Sequence, residues 1–223
     1  MDFEDVISAN IPSEEVVRKA KQETRDKDLG LFKVKSALTS VWNIKYGLEF
    51  AGCIHEISLD KFFLMYWTPT QLYLYNKFLK EDYVGIITID ATGSLVKQIP
   101  KPDGSKPVVY LYQAVCGYRQ KILPLFQLIS EKHDTNTLTY WIRGWIRSGG
   151  SCSKQVVTDY SRALLNATSL AFNNMDLKTY IETCIVLDSK TSSVLVNPPR
   201  CTIRLDISHF INMVRLVIRK QRW

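Results

Sequence analysis

Residues 83–96, YVGIITIDATGSLV, decide the fold of this chain. A run of apolar and β-branched residues ends at Asp90, and this pattern predicts a buried strand over residues 84–90. Thr92 and Gly93 follow, and we expect them to shape the turn after the strand. A carboxylate at the end of a buried strand is costly unless it binds a metal ion or accepts hydrogen bonds. Asp90 is therefore the first candidate for a functional residue.

Two later segments repeat the arrangement of an apolar strand that ends in an acid. QVVTD ends at Asp159, and CTIRLD ends at Asp206, with His209 three residues further on. Open α/β sheets bind ligands beyond the carboxyl ends of their strands. Carboxylate oxygens bind hard cations such as Mg²⁺, and two such ions can clamp the attacking and leaving oxygens of a phosphodiester displacement. We therefore expect Asp90 and Asp159 to be catalytic metal ligands for Mg²⁺ or Mn²⁺.

The order of the predicted elements indicates the fold class. Three strands joined by short turns start the sheet, and we expect them to be antiparallel. Helices alternate with two further strands after that, which is the order of a ribonuclease H-like α/β mixed sheet with flanking helices. The predicted strands are one or two within residues 54–67, then 84–90, 94–99, 107–115, 154–158 and 201–206. The predicted helices cover residues 13–28, 31–42, 69–80, 136–147, 161–172, 177–186 and 208–221, and residues 125–133 are predicted as a loop.

The chain divides into two regions by pattern. We assign residues 1–46 to a peripheral helical segment and residues 47–223 to the ribonuclease H-like core. The helix over residues 13–28 carries many charges of both signs and a thin apolar stripe. This pattern favours a solvated helix over a DNA-binding arm.

Composition and charge narrow the class of protein. The chain has 29 Lys and Arg against 22 Asp and Glu, a net charge of +7, which suits DNA or another polyanion. The five cysteines are scattered, which argues against a disulfide framework and against a ribbon-type zinc site. The acidic N-terminus is unlike a signal peptide, and the apolar run over residues 62–67 is too short to span a membrane. We expect an intracellular protein, nuclear or cytoplasmic, with no membrane partner.

Three segments carry a resemblance to a known family. IITIDATGSLV, VVTDYSRALLNATSLAFN and IRLDISHFINMV resemble the transposase domain of Mutator-like elements, most closely the foldback-related branch, from about residue 47 to the C-terminus. The resemblance implies a ribonuclease H-like fold and Mg²⁺-dependent DNA cleavage and strand transfer by a D-D-E triad. Asp90 matches the first Asp of the triad and Asp159 the second. Asp206 and His209 match the family's [C/D]-x-x-H pair, which supports the site from outside the triad.

The chain departs from the family pattern at the third acid. In the family this Glu follows a helical insertion after the strand that carries the D-x-x-H pair, whereas this chain ends one predicted helix past His209. Glu182 comes too early to match, and we expect it to face solvent. The resemblance therefore implies a truncated or domesticated transposase with two of the three metal ligands. The alternatives are a non-catalytic DNA- or protein-binding module retained from a transposase, and a remnant with no selected function.

The last predicted helix carries the candidate DNA contacts. Arg215, Arg219 and Lys220 make it basic, and we expect DNA as the partner, with self-association as a further option.

Simpler interpretations stand beside several of these assignments. Asp159 is also placed to cap the helix that follows it, a role compatible with metal binding. A zinc site through Cys201, Asp206 and His209 is poorly spaced. His209 could equally open a helix and bond its backbone.

His55 and His133 are isolated in the sequence and predicted to be structural. The spacing of Tyr140, Trp141 and Trp145 favours core positions over base stacking.

Overall fold

The computed structural model describes residues 13–28, 37–47, 51–58, 60–81, 85–93, 98, 101, 103–118, 120–188, 197–208 and 211. The chain divides into two compact units, Met1–Ala51 and Gly52–Trp223. The first unit contains helices α1 (Glu14–Asp28) and α2 (Ala37–Tyr46). The observed α1 agrees with the predicted helix, and its described side chains are almost all exposed, as expected of a solvated helix. Helix α2 agrees with the end of the helix predicted over residues 31–42, and residues 31–36 lie outside the described part.

The second unit is built on a seven-stranded mixed sheet with the order β1-β2-β5-β4-β3-β6-β7. Strands β1 to β5 pair antiparallel, and β6 and β7 extend the sheet in parallel from β3. This architecture confirms the predicted α/β mixed sheet, an antiparallel start followed by parallel strands, and is compatible with a ribonuclease H-like fold. The strands are β1 (Ile54–Ser58), β2 (Phe63–Tyr66), β3 (Ile86–Gly93), β4 (Tyr110–Tyr118), β5 (Lys121–Ser130), β6 (Gln155–Thr158) and β7 (Thr202–Leu205).

Four helices flank this sheet within the described residues of the second unit. Helix α4 lies beside α5 against the sheet, and α6 follows α5. The helices are α3 (Pro69–Glu81), α4 (Thr135–Arg147), α5 (Arg162–Asn173) and α6 (Leu177–Asp188). Ile207, Ser208 and Ile211 are helical after β7, and the rest of the last predicted helix lies outside the described part. Among the described residues, no helix is both long and apolar enough to cross a membrane.

The start of α3 shows why local sequence predicts a helix boundary well. Thr68 Oγ1 accepts a hydrogen bond from Gln71 N at 3.1 Å, and Gln71 Oε1 accepts one from Thr68 N at 2.7 Å. This reciprocal pair is a capping box, and it satisfies two backbone donors that the helix leaves unpaired. Gln71 Nε2 also donates to the carbonyl oxygen of Pro124 at 3.1 Å, so the same residue ties α3 to β5.

The predicted loop over residues 125–133 is wrong, because most of it belongs to β5. This strand pairs with β4 on one side and with β2 on the other. Leu125, Phe126 and Leu128 are fully buried. Pro124 of β5 lies opposite Val115, where the register of β4 and β5 shifts. A proline is tolerated at such a bulge because no regular ladder bond is lost there.

The predicted turn at Thr92 and Gly93 is also wrong. Both residues belong to β3, and they pair with Leu111 and Tyr110 of β4. Asp90 therefore lies three residues before the end of its strand rather than at the end. The pairing with β4 supplies hydrogen-bond partners to a Thr-Gly dipeptide that looks like a turn in isolation. Residues 94–97 and 99 of the predicted strand 94–99 lie outside the described part.

Aromatic side chains form the core between the sheet and α4. Trp141 and Trp145 are fully buried, and their rings lie 4.9 and 4.8 Å from the ring of Phe126. Both tryptophans thus occupy the predicted core positions. Tyr140 does not: it is 40% exposed, and its hydroxyl donates to Glu56. Its hydroxyl reaches the surface because it lies on the outer side of α4.

Replacing Gly150 by alanine should destabilise the second unit. Gly150 is buried after α4, and a Cβ there would lie 2.3 Å from Nε1 of Trp145 and 2.6 Å from two further ring atoms. The buried indole has no room to turn, and overpacking of this kind costs about 1–3 kcal/mol. Urea unfolding measures the loss. Gly117→Ala is the control, because a Cβ on Gly117 meets nothing within 4 Å. Equal losses in both variants would contradict the packing argument.

Candidate active site

The central feature of the site is the register of β3 and β6. These strands are parallel, and Ile89 pairs with Thr158. Asp90 and Asp159 are each the next residue after that pair, so both acids lie at the same level on neighbouring strands. Neighbouring strands of a sheet are roughly 4.8 Å apart. The sheet therefore places the two predicted metal ligands beside each other across the two neighbouring strands.

Asp206 continues this row on the third strand. Leu205 of β7 pairs with Thr158 of β6, and Asp206 follows it directly. Asp206 N donates to the carbonyl oxygen of Thr158 at 2.8 Å, which extends the ladder by one bond. Its Oδ1 accepts a hydrogen bond from Ser208 N at 2.8 Å and another from the Ser208 hydroxyl. Asp206 thus caps the helical turn after β7 at this edge of the sheet.

The two central aspartates have different surroundings. Asp90 is exposed, and its Oδ1 accepts from Ala91 N at 2.7 Å. Asp159 is half-buried, and its Oδ1 accepts from Ser161 N at 3.1 Å. The predicted cap of α5 is corrected here, because Ser161 rather than Asp159 caps the helix by accepting from Leu164 N at 3.4 Å. Asp159 lies two residues before that cap, and the Ser161 N–H bonds to one of its two carboxylate oxygens.

An open groove of about 700 Å³ lies beside Asp159. Its walls come from the end of β3, the start of β4, the segment before α4 and the start of α5. Asp90 is not part of this lining. The structure therefore places both acids at one edge of the sheet, but only Asp159 lines the groove. The walls include Ala91, Tyr110, His133, Asp159, Tyr160 and Ser161.

His133 is the residue of this groove that sequence reasoning missed. Its Nδ1 is hydrogen-bonded to the hydroxyl of Tyr112, and its Nε2 lies 3.4 Å from Ser161 Oγ. The imidazole also lies 5.2 Å from the ring of Tyr110, centre to centre. No local motif marks His133. The strand β5, which leads to His133, was predicted as a loop, so the position of His133 beside the groove was not predicted. His133 is therefore not isolated in the folded protein, because it contacts Tyr110, Tyr112 and Ser161.

Tyr112 stays a neutral phenol in this arrangement. Burial raises the pKa of Tyr112 well above its usual value, and the negative charges of Asp159 and Asp134 raise it further. The phenol proton is therefore retained at neutral pH.

The two carboxylates fit a Mg²⁺ ion by their chemistry. Mg²⁺ is usually bound by one or two carboxylates, with water or phosphate oxygens completing the shell. Asp90 and Asp159 supply such oxygens at one edge of the sheet. Within the described residues, no three His, Cys, Asp or Glu side chains come close enough to hold a metal between them. Glu182 is exposed, as expected, and lies 3.9 Å from Lys178 on the same face of α6.

The zinc alternative loses support from the position of Cys201. This side chain is fully buried before the first residue of β7, whereas Asp206 follows its last residue. The four residues of β7 lie between them, and five steps along an extended strand span roughly 16 Å, which is too far for both side chains to bind one ion. His209 lies outside the described part, as do the predicted DNA contacts Arg215, Arg219 and Lys220.

Comparison with known proteins gives one informative match. The chain is 39% identical over 217 residues to the 120.7 kDa protein in NOF-FB transposable element of Drosophila melanogaster. The match covers 96% of this chain and 20% of the relative, so the chain spans about a fifth of the relative's length. This homology supports a transposon-derived origin. No protein-family model matches the chain, and no solved structure matches it.

Asp134, next to His133, should give a pH-dependent contribution to stability. It caps α4: its Oδ1 accepts from Thr137 N at 2.9 Å and its Oδ2 from Thr137 Oγ1 at 2.9 Å. Burial alone raises the pKa of Asp134, but these hydrogen bonds together lower it below 3.8. A carboxyl group with a lowered pKa stabilises the fold above its unfolded pKa and loses that effect as the pH falls through its folded pKa.

The expected loss in Asp134→Ala is therefore about 1 kcal/mol at neutral pH, the usual cost of removing an N-cap. The difference from wild type should shrink below pH 3.8, and thermal unfolding across the acidic range measures it. Asp134→Asn keeps a capping oxygen without a charge, so it should lose less and show a flatter pH dependence. A constant difference between wild type and Asp134→Ala down to the lowest pH would refute the linkage.

Proposed function

We propose that this chain is a transposase-derived protein of the Mutator-like kind, whose ribonuclease H-like core uses Asp90 and Asp159 to bind Mg²⁺ or Mn²⁺ for DNA cleavage and strand transfer. The observation that carries the proposal is the parallel register of β3 and β6, which sets both acids one residue past the Ile89–Thr158 pair. The homology to a transposable-element protein supports the same reading. In an active enzyme of this kind a third carboxylate would complete the site.

The residues around the acids have defined tasks in this proposal. The backbone N–H of Ala91 donates to Asp90, and the backbone N–H of Ser161 donates to Asp159. Each bond occupies one carboxylate oxygen and leaves the other for a cation. Hydrogen bonds to a ligating carboxylate fix its orientation and are part of how such sites are tuned. The bound ion would supply charge stabilisation for the phosphoryl group, and the protein would hold the ion and the DNA.

A non-catalytic module is the second candidate. Within the described part of the chain, no third acid joins Asp90 and Asp159, and Asp90 lies outside the groove that Asp159 lines. Removing one carboxylate from a two-metal site leaves the second ion without a place. A protein in this state would keep the sheet and its surface for DNA or protein contacts, without cleavage.

Titration of Mn²⁺ into the purified chain separates the two candidates. We expect one binding event in wild type, and its loss in Asp90→Asn and in Asp159→Asn, because each substitution removes an anionic oxygen ligand while preserving size. Asp176→Asn is the matched control: Asp176 caps α6 by accepting from Thr179 N at 2.8 Å, and asparagine keeps that cap. Its affinity for Mn²⁺ should equal that of wild type.

The outcomes assign the function as follows. Binding that depends on both acids supports the catalytic proposal, and cleavage of supercoiled DNA in Mn²⁺ is then the direct assay. Binding that survives both substitutions places the ion elsewhere and contradicts the proposed ligands. No binding in wild type favours the non-catalytic module.

DNA affinity should depend on the basic residues of the last predicted helix. Replacing Arg215, Arg219 and Lys220 together by glutamine should weaken binding to duplex DNA and flatten its salt dependence. Each lost phosphate contact reduces the slope of log K against log salt by about 0.9, so three contacts reduce it by about 2.7. Fluorescence anisotropy at several salt concentrations measures both quantities.

A charge-matched control comes from α1. Replacing Arg18, Lys19 and Arg25 by glutamine removes the same net charge from a helix that is predicted to be only solvated. This variant should keep most of the affinity and slope. Equal effects of the two triple substitutions would mean that binding follows net charge and not a defined surface.

A further inference from the structure

A chain of hydrogen bonds connects the buried sheet to Asp159 through His133. Tyr112 is fully buried on β4, and its hydroxyl is bonded to His133 Nδ1. His133 Nε2 lies 3.4 Å from Ser161 Oγ, and Ser161 N donates to Asp159 Oδ1 at 3.1 Å. The four residues come from β4, from the segment before α4 and from the start of α5. They meet only in the folded protein.

The direction of these bonds follows from the donors that each group can offer. A buried phenol proton needs an acceptor, because leaving it unpaired is costly. Tyr112 O–H therefore donates to His133 Nδ1, which makes Nε2 the protonated ring nitrogen. Nε2–H then donates to Ser161 Oγ, which also accepts from Leu164 N at 3.4 Å. The serine is held from two sides, and its backbone N–H is held toward Asp159.

We propose that His133 is a positioning residue for Asp159, which it orients through Ser161. The imidazole connects Tyr112, which is fixed in the core, to Ser161, the cap of α5. It therefore determines the position of the Ser161 backbone N–H. Asp159 accepts that N–H with one oxygen, so the cap decides where the other oxygen points. The inference rests on the proposed function insofar as Asp159 holds a cation.

The test uses two readouts on the intact chain, of which one needs no metal. The first is the ¹H and ¹⁵N shift of the Ser161 amide in the metal-free protein. In His133→Phe, which keeps an aromatic ring beside Tyr110 and Tyr112, the amide proton should move upfield as its bond to Asp159 lengthens. In His133→Gln, whose amide N–H can replace Nε2–H toward Ser161 Oγ, the shift should return toward wild type.

The second readout is Mn²⁺ affinity by titration. Partners that orient a metal ligand typically contribute 10- to 100-fold to affinity, so Kd should rise by about 10-fold or more in His133→Phe and recover in His133→Gln. His55→Phe is the control, because His55 also stacks on an aromatic ring, that of Trp67, but at the far edge of the sheet. It should leave the Ser161 amide shift and the Mn²⁺ affinity unchanged.

Two outcomes are kept apart by this design. If wild type binds no Mn²⁺, the proposed function fails, and the amide shift still decides the positioning role. If the Ser161 amide is unmoved in His133→Phe, the inference is overturned even where Mn²⁺ binds. If His133→Phe does not fold, Ser161→Ala replaces it in the test. This variant removes the hydroxyl and keeps the backbone N–H, so we expect the same change in the amide shift and the same weaker Mn²⁺ affinity. An unmoved amide in that variant overturns the inference equally.

Discussion

The pairing of β3 with β6 is the constraint on which the rest of the site depends. β3 pairs antiparallel with β4 on one side and parallel with β6 on the other, so its register is set from both directions. A slip of one residue in a strand moves every side chain to the opposite face. Ile87 and Ile89 are fully buried, and a slip would expose them. The apolar core therefore fixes Asp90 and Asp159 at the same level of the sheet.

The helices of the second unit protect that register and supply the groove. α4 packs its tryptophans against Phe126 of β5, and this contact holds the segment before α4 close to the sheet. His133 and Asp134 lie in that segment. Ser161, two residues after Asp159, caps α5, which begins at Arg162. The groove is thus formed by two helix starts that meet at the edge of the sheet, and its polar groups are those that helix starts require.

The homology to a transposable-element protein covers nearly all of this chain but only a small part of the relative. The match takes in 96% of the chain, a span that includes the sheet and both central aspartates. It takes in only a fifth of the relative, so activities of the longer protein do not transfer to this chain by homology alone. The charge of +7 is consistent with a polyanionic partner, yet charge alone does not distinguish a catalytic core from a binding module.

The sequence by itself determined the features that depend on neighbouring residues. The capping pairs at Thr68, Asp134 and Asp176 were predictable because an N-cap and its partner lie within three positions. The strands that end near Asp159 and Asp206 were predictable from their apolar, β-branched runs. Only the tertiary structure decided that residues 121–130 form a strand, that Thr92 and Gly93 continue one, and that His133 reaches Ser161. A strand is completed by partners far away in the chain, and no local pattern contains those partners.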